Sequence, residues 1–150
     1  MIIDFEDSTA TCPIATDQVI QWAKTTLSSE TDKECILAIR VVDWTEGLSL
    51  NEIFLGKKYP TNVLSFRADI QIPEGPTTLG DIAICLPVVE REAHEQSKPF
   101  EQHFAHMVVH GCLHLLGYDH VNDDDANEME AKEIGILSDL GYPNPYLSEE

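Results

Sequence analysis

Between Pro99 and Gly117 the chain places Phe104, Met107, Val108, Val109, Cys112, Leu113, Leu115 and Leu116 at spacings that wrap most of a helix's circumference. A helix that is apolar on nearly every side has to be enclosed by the rest of the chain. The spacing therefore predicts a buried central helix over 100–115, separated from what precedes it by Pro99 and stopped by Gly117. Four of the six histidines, His103, His106, His110 and His114, fall on this same helix. At about 100° per residue they occupy a stripe only about 80° wide. A polar stripe on an enclosed helix needs partners or a ligand.

The flanking sequence supplies what can enclose it. Strands are expected at Ile2 to Phe5, at Cys35 to Val42, which is rich in Ile, Leu and Val, at Val63 to Phe66 and at Asp81 to Leu86, the last after a Pro/Gly-rich loop from Pro73 to Gly80. Helices are expected from an Asp17 cap to Leu27, with Val19, Ile20, Ala23 and Leu27 on one face, from Leu48 to Leu55 with Gly56 ending it, and from Pro87 to Ser97. A final helix led by Asp123 to Asp125 faces Ala126, Met129, Ile134, Leu137 and Leu140 inward. The three acids read as a solvated cap, since an EF-hand's alternating acids and terminal Glu are absent. Strands first and helices later predict an α+β fold, a small mixed sheet packed with several helices. No repeat or Gly/Ser linker divides the chain, so 1–150 is expected to be a single domain.

The histidine stripe runs into the sequence HGCLHLLGYDH. His110 and His114 lie one turn apart and can present their imidazoles to one ion, and a chain that doubles back at Gly117 can bring His120 to the same point. His106 is a poorer third ligand. It stands roughly 12 Å from His114 along the helix axis, whereas Zn–N bonds are near 2.1 Å. Three histidines leave a fourth position open, as catalytic zinc sites do. The spacing matches the metzincin pattern H-E-x-x-H-x-x-G-x-x-H, but position 111 is Gly111 where a metallopeptidase has its general-base Glu. A peptidase is disfavoured on that ground, and phosphodiesters fit better.

Together with PTNVLSF at 60–66 and LGDIAIC at 79–85, HGCLHLLGYDH resembles the bacterial YbeY family of single-strand-specific, metal-dependent endoribonucleases over essentially the whole chain. The resemblance implies one Zn2+ per chain, or another transition metal, on His110, His114 and His120. It implies an RNA substrate in ribosomal RNA maturation, ribosomal or assembly-factor protein partners, and a TNVLSF strand along the cleft. Asn62, Ser65, Arg67 and Asp81 are the substrate-cleft candidates. No catalytic residue is assigned, and Asp119, beside a ligand, is the candidate for orienting an imidazole. The family pattern carries a phosphate-contacting Arg four residues after the Asn that matches Asn51, where this chain has Leu55. A Pro often follows its V-L-S-F, where this chain has Arg67. Leu55 and the net charge of −18 motivate an alternative, a zinc-bound ribosome-assembly factor with weak or lost nuclease activity.

Charge bears on both readings. Nine Lys and Arg against 27 Asp and Glu leave −18, so RNA cannot be drawn in by general attraction and needs a local patch, for which Lys57 and Lys58 are candidates. His94 and His103 read as surface residues. Four cysteines without a C-x-x-C pair read as buried thiols, and an acidic N-terminus without a long apolar run points to a cytoplasmic protein away from membranes.

Overall fold

Alternate residues of Cys35–Val42 are buried, so this strand has a face for a core on one side of a sheet. The computed structural model describes residues 1–71 and 73–147, apart from the side chains of 69–71. Its elements follow in the order β1 (Ile2–Asp7), α1 (Thr16–Glu30), β2 (Cys35–Val42), α2 (Trp44–Leu55), β3 (Val63–Gln71), β4 (Thr77–Cys85), α3 (Leu86–Glu95), α4 (Phe100–Leu115) and α5 (Asp123–Asp139). The strands form one mixed sheet in the order β1-β2-β4-β3, in which β1, β2 and β4 run parallel and β3 pairs antiparallel with β4 at the edge. This is the expected α+β architecture. Strands and helices nevertheless interleave up to α3, because parallel neighbours require crossovers between them.

The two sheet faces are unequally covered. Leu37, Ile39 and Val41 of β2 and Ile82 and Ile84 of β4 pack with α1, α4 and α5 in the main core. The opposite face holds a smaller cluster of Val42, Ala83, Cys85 and Val88 beneath Leu50, Leu64 and Phe66. The helix 100–115 lies where the sequence puts it. Phe104, Val108, Val109, Cys112 and Leu113 are inaccessible to solvent, and burial pushes the Cys112 thiol up to about 12.

Several boundaries differ from expectation. Asp17 does not cap α1. Ala15, in extended conformation and without a side-chain hydrogen bond, precedes the helix, and Asp17 stands in the first turn, where its charge favours the dipole. α2 starts at Trp44, four residues early, because Asp43 caps it by accepting from the Glu46 N–H at 2.8 Å. Thr77 to Gly80, assigned to the loop, belongs to β4, and Leu86 opens α3. In α5 the buried face comprises Met129, Glu133, Ile136 and Leu137, with Asn122 as its cap. Ile134 and Leu140 are only half-buried.

Candidate metal centre

The close approach of α4 to the sheet places the site. Gly111 is buried against β4, and a Cβ there would stand 2.9, 3.1 and 3.3 Å from three carbons of Ile82. Such contacts are tighter than packed side chains tolerate. Position 111 is therefore glycine for packing, and its direction is into the sheet at Ile82. A glutamate there would be driven into Ile82.

His110 and His114 stand about 100° and about 60° around the same helix from Gly111, with ring centroids 4.8 Å apart. The helix stops as its sequence predicts. Gly117, at φ 107, lets the Tyr118 N–H reach back to the Leu113 carbonyl at 3.0 Å and the Gly117 N–H to that of His114. This reversal returns the chain so that His120 lies 5.0 Å from His114 and 5.7 Å from His110 between ring centroids. One nitrogen of each ring lies within 4.8 Å of the others. Burial, and then the neighbouring His110 and His120, lower the pKa of His114, so its ring stays neutral. Three imidazoles, one of them held neutral, form a donor set suited to Zn2+ and other divalent transition metals.

A residue absent from the sequence reading orients the set. Glu133, on α5 and 1% exposed, accepts from His110 Nδ1 at 3.1 Å, from His106 Nε2 and from the Tyr146 hydroxyl at 2.8 Å. Burial alone would raise its pKa, but the bonds from His106 and His110 outweigh it and hold the carboxyl at about 2. An ionised carboxylate can only accept, so the His110 proton sits on Nδ1 and Nε2 keeps its lone pair for a metal. His106 is engaged by Glu133 and by burial stays below the ordinary histidine pKa, with its Nδ1 buried and unpaired among the described residues. The signal for Glu133 in sequence is weak: an acid three positions before the apolar pair Ile136 and Leu137 looks like any solvated helix residue.

Leu55, Asn62 and Ser65 join the three histidines around a cleft of about 420 Å³. Ser65 Oγ donates to the Gly111 carbonyl at 3.4 Å and so ties β3 to α4. Asn62 is held at both ends, donating to Glu92 at 3.0 Å and accepting from the Val63 N–H at 2.7 Å. Arg67 is on the same sheet face beyond Ser65, its guanidinium 3.7 Å from where a Gly117 Cβ would stand. Asp81 is not in this cleft. Strand alternation sends it to the other face, where it is exposed beside Arg40 and Phe66. Asp119 does not orient an imidazole by a hydrogen bond. It accepts from the His120 backbone N–H at 2.7 Å, with its nearest imidazole nitrogen at 3.9 Å. His103 is not a surface residue but 3% exposed and bonded to Glu92 at 3.0 Å, while His94 is exposed.

Comparison with known proteins identifies one family. The family described as Endoribonuclease YbeY matches residues 3–141. A protein named Endoribonuclease YbeY from Pseudomonas entomophila is 52% identical over 136 residues, covering 87% of this chain and 83% of that protein. One of the same name from Pseudomonas syringae pv. tomato is 56% identical over 119 residues, covering 76% and 69%. The solution structure of TM1509 from Thermotoga maritima superimposes with a TM-score of 0.62 at 26% identity, over 93% of this chain and 89% of that one.

Proposed function

The chain belongs to the YbeY endoribonuclease family, and from that premise we propose that it is a zinc-dependent endoribonuclease specific for single-stranded RNA, acting in ribosomal RNA maturation. The observation that carries the reading is the convergence of His110, His114 and His120 at the base of an open cleft whose other wall is β3. We assign these three as the ligands of one ion. When bound there, the metal supplies Lewis-acid stabilisation of the charge that develops on a phosphodiester. The chain's own residues prepare for it: Glu133 fixes the tautomer and direction of His110, and Ser65 and Asn62 tie β3 to α4 and α3 along the cleft. The proposal extends to residues 1–150 acting as one domain, and to a cytoplasmic protein working with ribosomal or assembly-factor partners. Among the described residues no helix is long and apolar enough to cross a membrane.

A second reading has its own observation. Leu55 lines the cleft at the position where the family's phosphate-contacting Arg is expected, which favours a zinc-bound assembly factor of weak nuclease activity. Peptidase chemistry has no support from position 111. One set of measurements separates the three: metal content and cleavage of single-stranded RNA and of a peptide library, for the wild type and for His106→Ala, His110→Ala, His114→Ala and His120→Ala. The nuclease reading expects RNA cleavage that disappears with the metal in the last three variants. Full metal retention by His120→Ala with loss in His106→Ala would reverse the ligand assignment, and robust proteolysis abolished by His114→Ala would overturn the nuclease.

A further inference from the structure

Leu55 is one of four large apolar side chains that stand in solvent within seven consecutive residues: Ile53 is 73% exposed, Phe54 58%, Leu55 53% and Tyr59 57%. Single exposed apolar residues need no explanation, but a cluster marks a contact surface. This one has two further properties. Lys57 and Lys58 are set within it, both exposed, and unlike Arg40, Arg91 and Lys132 neither is in an ion pair among the described residues. It meets the cleft at Leu55, which is part of both, while Phe54 rests on the Phe66 ring of β3 at a centroid distance of 4.8 Å, on the sheet face turned away from the histidines.

We propose that the end of α2 and the turn after it, Ile53 to Tyr59, form the platform on which bases of single-stranded RNA stack as the strand enters the histidine cleft. Phosphates of the same strand pair with Lys57 and Lys58. The inference rests on the RNA-cleaving reading and gives it a means of substrate capture. A chain at −18 repels a polyanion overall, so it must gain binding from contacts that do not depend on net charge, and base stacking on aromatic and aliphatic faces is such a contact. Stacking also selects the strand state. A duplex hides the faces of its bases within the helix, whereas a single strand can unstack and lay them on Phe54 and Tyr59. A protein partner would use the apolar residues equally well, but it would not account for two lysines, without an ion pair among the described residues, that follow Leu55 of the cleft by two and three positions.

The test uses the full chain loaded with Zn2+ and a fluorescent single-stranded RNA, intact or with abasic sites at successive positions. Metal content is measured throughout. Tyr59→Ala and Phe54→Leu, the second retaining packing against Phe66, are expected to weaken binding of intact RNA by roughly tenfold each. They should raise KM with little change in kcat, and leave metal content and thermal stability unaltered. The abasic RNA should bind the wild type as weakly as intact RNA binds the variants. Equal affinity of wild type and variants for intact RNA, in a protein whose cleavage is still abolished by His114→Ala, overturns this inference alone and leaves the surface to a protein partner. Absence of RNA cleavage by the metal-loaded wild type overturns the nuclease reading and this inference with it.

Discussion

Glu133 offers a metal no exposed group, yet it decides which nitrogen of His110 is available for one. Glu133→Gln keeps the shape but loses the charge and one of the two acceptor oxygens on which His106, His110 and Tyr146 converge. The expected result is a metal affinity lower by about tenfold to a hundredfold, read by competition with a chromophoric chelator. Tyr146→Phe, which removes only one donor, should lose less. An affinity within about twofold of wild type in Glu133→Gln would remove the carboxylate from the orienting role. Leu55 is testable at the same scale. If the missing cation limits activity, Leu55→Arg restores a charge-assisted phosphate contact of about 1.5 to 3 kcal/mol and should raise cleavage of single-stranded RNA by roughly tenfold to a hundredfold. No gain, with a fall in Arg67→Ala, would show that Arg67 already serves.

The elements hold the site by a close contact at one point and a reversal at another. At Gly111 the helix touches β4, and Gly111→Ala sets an overpacking cost of about 1 to 3 kcal/mol against a gain of about 1 kcal/mol in helix propensity. Ile82 is branched and buried, so it cannot move aside at little cost. A net loss of about 1 kcal/mol is expected, with a lower midpoint in urea unfolding and an unchanged slope. Gly111→Glu, which would complete the peptidase motif in sequence, is expected to fail to fold and to gain no peptidase activity. A stable Gly111→Glu protein would show that α4 can move off the sheet. Most of this level was legible in the chain. The limits of β2 and α4 and the stops at Gly56 and Gly117 follow from apolar period and glycine chemistry. The start of α2 and the length of the β3–β4 hairpin were not, since the Asp43 cap and strand pairing extend elements that have little apolar pattern of their own.

For the whole molecule the polar column along α4 sets a pH dependence. His106 and His114 have pKa values below the ordinary 6.5, in both cases chiefly because burial disfavours the cation. A histidine with a depressed folded pKa takes up its proton more readily when unfolded. Its contribution to stability is full above about 6.5 and is lost as the pH falls through the folded value. Glu133, at about 2 against an ordinary 4.5, keeps its contribution down to about pH 4.5 and loses it between there and about 2. Metal-free protein is therefore expected to keep a level Tm from about pH 8 to 7 and to lose stability progressively below 6.5, measured by calorimetry at constant ionic strength. A Tm that rises on acidification from pH 7 to 5 would contradict the neutral state assigned to these histidines.

Local spacing was enough to identify the buried helix, its two histidines one turn apart and the third after Gly117, because helical period and a glycine stop act within a few residues. The same holds for the α+β class, which follows from the run of apolar segments. What tertiary structure alone decided was everything that depends on which face meets which. Strand alternation carried Asp81 away from the cleft that Ser65 enters, and packing against Glu92 drew His103 inside. The approach to Ile82 made position 111 a packing residue. Glu133, 13 residues beyond His120, became the partner of His106 and His110 only when α5 folded back along α4. A buried charge is stable only where donors meet it, and those donors are distant in the chain and adjacent in space.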